Sequence, residues 1–288
     1  MPIFKKRTQI RFIQWLFPVL EKYCPPAAHW FACCLFLRPF RFPFTSLEKT
    51  AVRHSDEIYV SVAGRKIRVY SWGKGPYALF IHGWSGRGTN LCNFIEPIIN
   101  AGGRLLAFDA PAHGKSEGAR TNFLEFLEVM RAIENEFGKP SAYIGHSLGG
   151  MAAYHWVEKH AFETPVIMIG SPSEETDIFQ TFFRRLHGKG TGKQKLKEWV
   201  IKKTGFQFDR ELPLYERPLR NPSKLLLIHD EDDIDCSVED SKKLHKANQG
   251  SEIMITQGLG HLAILSDSQV IEKSLSFLKK NYHLTERI

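Results

Sequence analysis

The chain has 288 residues, of which 43% are hydrophobic, and a formal net charge of +8. This length and apolar content suffice for one large core, which favours a single α/β domain with an insertion over a disordered or repetitive chain. The five cysteines are odd in number and lack paired metal-ligand spacing, so we expect reduced thiols in a cytoplasmic protein, with no metal site. We interpret the positive charge as a solvated basic surface and expect no nucleic-acid partner.

Residues 1–50 form a basic and apolar extension that we expect to be helical. Basic residues at 5–11 precede the apolar run 12–17, and a second apolar run, 32–37, follows a Pro-Pro pair. Neither run reaches the ~20 residues of a membrane span, and polar residues interrupt the first, so we expect no export signal. Two interpretations stay open. The segment packs as a hairpin over the rest of the chain, or residues 1–44 contact an anionic membrane peripherally, on its inner surface.

Strands and helices alternate across residues 51–288, a pattern typical of a mostly parallel sheet covered on both faces. A hairpin opens the series at 57–62 and 66–72. We predict further strands at 77–81, 104–108, 142–144, 165–169, 224–228 and 252–255. We predict helices at 90–100, 122–137, 148–160, 238–248 and 268–281.

Residues 173–223 interrupt this alternation and are predicted to form a helical lid. An insertion at this point covers the carboxyl ends of the strands, where ligands bind in open α/β sheets. The segment combines aromatic residues with a lysine cluster. We interpret the lysines as an exposed helix face with the aromatic residues turned inward, rather than as a site for an acidic substrate.

A nucleophile elbow is predicted at residues 145–149, Gly-His-Ser-Leu-Gly, directly after a short apolar strand. A sharp turn from strand to helix exposes the serine hydroxyl and closes only when small residues lie two positions before and after the serine. Gly145 and Gly149 meet this need, which makes Ser147 a candidate nucleophile.

A serine nucleophile needs a histidine base and a carboxylate that orients the imidazole. An acid-rich loop, residues 229–235, follows the strand predicted at 224–228, and several of its carboxylates compete for this role. His261 lies in a glycine-bounded loop after the last predicted strand. The resulting order of serine, acid and histidine is the order of α/β-hydrolases.

On these motifs the chain resembles the α/β-hydrolase superfamily over residues 57–281. It resembles especially bacterial hydrolases with a His-Gly-Trp-x-Gly-Arg-Gly segment, here residues 82–88, and a Gly-Leu-Gly-His loop, here residues 258–261. It implies an α/β-hydrolase fold with a helical lid, so we expect the extension 1–50 and a hydrolase domain 51–288.

The resemblance also implies a role for each site residue. Ser147 would be the nucleophile and His261 the general base, with an oxyanion hole formed by the backbone amides of Trp84 and Leu148. Aligning a His-Gly-x-x-Asp loop with residues 229–233 selects Asp233 as the acid. Asp230 stands where that loop usually has glycine, which keeps Asp232 and Asp235 as alternatives.

The expected activity is two-step acyl transfer on carboxylic esters with small to medium apolar acyl groups, without a metal or cofactor. Thioester hydrolysis, lactone opening and carbon–carbon bond cleavage could use the same triad, so the partner is expected to be a small-molecule ester or thioester. A non-catalytic binding protein with the same fold is the alternative from another class. Intact Ser147 and His261 argue against it.

Overall fold

The centre of the molecule is an eight-stranded sheet in the order β1-β2-β4-β3-β5-β6-β7-β8. The computed structural model describes residues 2–207 and 213–281, so residues 208–212 of the predicted lid and 282–288 of the predicted hydrolase domain lie outside it. The strands are β1 Asp56–Val62, β2 Arg65–Gly73, β3 Tyr77–Ile81, β4 Arg104–Phe108, β5 Ala142–His146, β6 Val166–Ile169, β7 Leu225–Asp230 and β8 Glu252–Thr256. β2 runs antiparallel to β1 and to β4, and the other neighbours are parallel.

The eight predicted strands are confirmed. All residues of β3, β5, β6 and β7 are buried, because helices cover both faces of the sheet and such strands are continuous apolar runs. β5 and β7 each extend two residues beyond the prediction, to His146 and Asp230. Polar residues therefore end two central strands at the edge where the candidate site lies.

Eleven helices surround the sheet in the described part of the chain. They are α1 Pro2–Tyr23, α2 Pro25–Phe36, α3 Ser46–Arg53, α4 Ile95–Asn100, α5 Phe123–Phe137, α6 Leu148–Lys159, α7 Glu175–Arg185, α8 Lys193–Thr204, α9 Val238–Ala247, α10 Gly260–Ala263 and α11 Ser268–Asn281. α3, α4 and α11 pack on one face of the sheet, and α5, α6 and α9 pack on the other.

The helix predicted at 90–100 is wrong in its first half. A 3-10 segment, Gly88–Phe94, precedes α4, and Leu91 within it has a non-helical backbone. Pro97 accounts for the break, because proline lacks the N–H that would bond to the carbonyl of Asn93 and its ring would clash there.

The lid contains α7 and α8, inserted between β6 and β7. Phe179 and Phe183 of α7 are buried, as the predicted inward aromatic face requires. The hairpin of α1 and α2 packs on this lid. Phe17 contacts Phe183 with ring centroids 5.9 Å apart, and Phe36 stacks on Phe179 at 5.1 Å. No helix in the described ranges is both long and apolar enough to cross a membrane.

Gly149 provides a test of the contact between α6 and the sheet. A Cβ at this position would lie 2.0 Å from the carbonyl oxygen of Ile81, a backbone atom that cannot move without shifting β3. We predict that Gly149→Ala lowers the free energy of unfolding by about 3 kcal/mol or more in urea titrations. The matched control is Gly192→Ala, whose added Cβ would approach only Phe183, at 4.0 Å, and should change stability by less than about 1 kcal/mol. Equal stability of the two variants would contradict the close packing at Gly149.

Candidate active site

Ser147 lies at the turn between β5 and α6 with φ 54° and ψ −126°. A non-glycine residue in this region is strained and persists only where its surroundings fix the backbone. Gly145 permits the turn, because a Cβ there would lie 2.3 Å from the Cα of Gly150. The Ser147 amide donates to the carbonyl of Ile169 at 2.9 Å, which anchors the turn to β6. The predicted elbow geometry is therefore present.

The segment 82–88 passes directly beside the serine. A Cβ on Gly83 would lie 2.8 Å from the Cβ of Ser147, so only glycine fits at this crossing. Ser85 has φ 61°, and its amide donates to His113 Nε2 at 3.0 Å. His82 Nε2 accepts from the amide of Ala110 at 2.9 Å. The two histidines thus hold the loop.

The N-terminal extension also braces this loop. The amide of Phe40 donates to Ser85 Oγ at 2.9 Å. The buried carboxylate of Glu48 accepts from the Thr89 hydroxyl at 3.1 Å and lies 3.4 Å from Arg87 Nε. These contacts were not predicted, because residues separated by about 40 positions carry no local pattern that marks them as partners.

The three candidate acids have three different partners. Asp233 Oδ2 lies 2.7 Å from His261 Nδ1, and its side chain is 1% exposed. Asp232 Oδ2 accepts from the amide of Gly258 at 2.9 Å. Asp235 faces the lid, where its carboxylate pairs with Arg185 at 2.6 Å. The geometry therefore brings Asp233 to the histidine and leaves the other two carboxylates engaged elsewhere.

Asp230 has a role that sequence reasoning missed. Its fully buried carboxylate accepts from the amides of Gly260 at 2.9 Å and Leu259 at 3.1 Å, and from the Thr256 hydroxyl at 2.7 Å. Burial acts to raise the pKa of Asp230, but these hydrogen bonds outweigh it and lower the pKa below its ordinary value. The residue that replaces the usual glycine thus ties the histidine loop to the acid loop.

His261 is held from two sides. Asp233 contacts its Nδ1, and His146 Nε2 donates to its main-chain carbonyl at 2.8 Å, with the two rings 4.6 Å apart. His146 thereby links the elbow directly to the histidine loop. This contact gives His146 a structural role in the site.

Burial controls the titration of two histidines near the site. It lowers the pKa of His82 to about 4 and that of His146 to about 3. Burial would raise the pKa of Asp233, but hydrogen bonds from His229 and His261 overcome it and hold the pKa well below the ordinary range. Near neutral pH the site therefore contains an ionised Asp233 and neutral His82 and His146 side chains.

Ser147 and His261 line one cavity of about 680 Å³. The lid contributes Ile178 and Phe182 to its wall, and the N-terminal extension contributes Phe36 and Phe42. The contribution of the extension to the cavity wall was not predicted.

Cys236 also borders the cavity. Burial raises the pKa of its thiol well above the ordinary value, and hydrogen bonding to the Ser147 side chain opposes this shift in part.

The comparisons with known proteins agree with this fold. Residues 79–234, more than half of the chain, match the family model described as alpha/beta hydrolase fold. The chain belongs to the α/β-hydrolase family. An esterase from Pyrococcus furiosus shares the fold, with a TM-score of 0.63 and 17% identity over 85% of this chain and 97% of that one.

Two curated relatives of this α/β-hydrolase are named as esterases. The pimeloyl-[acyl-carrier protein] methyl ester esterase of Vibrio atlanticus is 28% identical over 107 residues, which is 37% of each chain. Human protein phosphatase methylesterase 1 is 25% identical over 150 residues, 47% of this chain and 39% of the relative. The chain thus matches about two fifths of the length of these relatives.

The neutral buried histidines predict a pH-dependent stability. The pKa values of His82 and His146 in the folded chain lie below the value near 6.5 of an unfolded chain, so acidification protonates the unfolded chain first. We expect the pair to lower the free energy of unfolding by about 4 kcal/mol between pH 7 and pH 5, measured by urea titration. The lowered pKa of Asp233 contributes nothing in this window, because its stabilisation is complete above about pH 4 and is lost only below it.

Two variants identify the source of this pH dependence. His146→Gln should reduce the fall in the free energy of unfolding between pH 7 and pH 5. His54→Gln changes an exposed histidine and should leave that fall unchanged. A free energy of unfolding that stays constant between pH 7 and pH 5 would contradict neutral buried histidines.

Proposed function

We propose that the protein is a serine hydrolase that cleaves carboxylic esters of small to medium apolar acyl groups by two-step acyl transfer. The observation that carries this proposal is the 2.7 Å contact between Asp233 Oδ2 and His261 Nδ1 at the cavity that Ser147 lines. Ser147 is the proposed nucleophile, His261 the general base and then acid, and Asp233 the group that orients the imidazole.

The contact with Asp233 fixes the proton of the imidazole on Nδ1, which leaves the Nε2 lone pair free to accept the proton of the Ser147 hydroxyl. The ionised carboxylate then stabilises the imidazolium that forms as the serine attacks a carbonyl carbon. Protonated His261 returns the proton to the leaving alkoxide, which gives the alcohol and an acyl-Ser147 ester. Water, deprotonated by His261, hydrolyses that ester and releases the acid.

The proposed oxyanion hole consists of the backbone amides of Trp84 and Leu148. The close crossing of Gly83 over Ser147 supports it, because it brings the loop that contains Trp84 beside the nucleophile. The amides of Ser85 and Ser147 are already bonded to His113 and Ile169, which favours their neighbours as donors. One such donor typically contributes about 10²–10³ in turnover.

The apolar cavity wall supports the proposed substrate class. Phe36, Phe182 and Phe206 surround a space whose volume is typical of sites for small molecules. The curated relatives named as methyl ester esterases are consistent with an ester substrate. Thioesters, lactones and carbon–carbon bonds would use the same three side chains, so activity on an ester and a thioester with the same acyl chain should be compared directly.

Loss of the triad residues tests the reaction. Purified protein should react with a fluorescent fluorophosphonate and hydrolyse p-nitrophenyl esters, and Ser147→Ala should lose both activities. We expect Asp233→Asn to lower kcat by about 10⁴, the typical cost of misorienting the histidine. Asp232→Asn is the matched control and should retain kcat within about tenfold, because Asp232 bonds to a loop amide rather than to the imidazole. Labelling of Ser147→Ala, or equal losses in the two aspartate variants, would contradict these roles.

The acyl-chain profile tests the substrate class. Across p-nitrophenyl esters from acetate to decanoate, kcat/KM should rise with chain length and then fall once the chain exceeds the cavity. Activity confined to acetate would contradict an apolar acyl site, and absence of labelling and hydrolysis together would favour a non-catalytic binding protein.

A further inference from the structure

Exposed apolar side chains run along one side of α1. Phe12, Trp15, Val19 and Tyr23 are between 41% and 72% exposed. Their spacing of three or four residues places them on one face of the helix, which we call the aromatic stripe. Exposed apolar residues on an ordinary protein surface are scattered and isolated, whereas these four lie together on one helix face.

The opposite face of α1 contacts the lid. Phe17 is 1% exposed and packs against Phe183. Gln14 Nε2 donates to the carbonyl of Arg185 at 3.0 Å. The carboxylate of Glu21 accepts from the amide of Thr191 at 3.0 Å. The helix is therefore anchored by its inner face, and the aromatic stripe faces outward on a fixed support.

Positive charge is concentrated in the same segment. Residues 1–44 contain seven lysines and arginines and a single acid, Glu21, so they carry +6 of the net charge of +8. Glu21 lies on the opposite face of α1, where it accepts a hydrogen bond from the lid. Arg11 and Lys22 are exposed and, at 100° per residue, lie along one edge of the aromatic stripe.

We propose that α1 docks the protein peripherally on an anionic lipid surface, with the aromatic stripe in the interface and Arg11 and Lys22 against the headgroups. Tryptophan and tyrosine favour the boundary between water and lipid, because each has an apolar body and a polar tip. Basic side chains beside them add attraction to anionic lipid. A second copy of the chain is a poorer occupant, because its own +6 segment would face the first.

Docking in this way places the lid next to the lipid. α1 holds α7, and α7 supplies Ile178 and Phe182 to the cavity wall. This proposal concerns binding and does not depend on hydrolysis. Deletion of residues 1–44 is unsuitable as a test, because it would also remove Phe36 and Phe42 from the cavity.

The test is co-sedimentation of the full chain with vesicles of phosphatidylcholine alone or mixed with phosphatidylglycerol. We expect at least about tenfold stronger partitioning to the anionic vesicles, weakened by salt as the charges are screened. Trp15→Ser with Tyr23→Ser should reduce partitioning at least about tenfold. Arg11→Glu with Lys22→Glu should remove the preference for anionic lipid.

Matched controls lie on other parts of the surface. Tyr59→Ser removes an exposed aromatic residue from β1, and Lys246→Glu with Lys279→Glu makes the same charge change on α9 and α11. Both controls should partition like the wild type, and all variants should keep its thermal unfolding temperature. The proposal is overturned if the wild type binds neither vesicle type. It is also overturned if the stripe variant, Trp15→Ser with Tyr23→Ser, partitions as strongly as the wild type. Dissociation of a wild-type dimer by the stripe variant, without lipid binding, would overturn it in favour of a second copy.

Discussion

The strained backbone of Ser147 is the constraint on which the site depends. Its φ of 54° and ψ of −126° cost on the order of 1–3 kcal/mol and require support from every side. That support comes from the close approach of Gly145 to Gly150, from Gly149 against the carbonyl of Ile81, and from the bond of the Ser147 amide to Ile169. β3, β5 and β6 therefore meet at Ser147, and the sheet core fixes the direction of its side chain.

Two carboxylates of the acid-rich segment 229–235 have different roles. Asp233 contacts the imidazole of His261, and Asp230 binds the backbone of the loop that carries it. Because Asp230 ends β7 and Asp233 lies in the turn that follows it, the position of His261 is set by the same strand end that presents Asp233. On the other side of the serine, the extension supports the loop 82–88 through Phe40 and Glu48. The extension is thus part of the site and not an addition to it.

The sequence predicted the fold well, and local patterns also marked the candidate residues. Continuous apolar runs located the strands, and the glycines around Ser147 marked the turn by its steric need. Distinguishing Asp233 from Asp232 and Asp235 by residue type alone was impossible, since all three are carboxylates in one loop. The supports from Asp230, Phe40 and Glu48 were missed because they join distant positions. The late start of α4, at Ile95, agrees with the position of Pro97 and could have been predicted.

The most direct test of this account is a crystal structure of the protein after reaction with a fluorophosphonate. The account predicts a phosphorus atom bonded to Ser147 Oγ, with one phosphoryl oxygen within hydrogen-bond distance of the amides of Trp84 and Leu148. His261 should remain on Asp233, with its Nε2 toward the adduct. An adduct on another residue, or a phosphoryl oxygen directed away from both amides, would contradict the proposed active site.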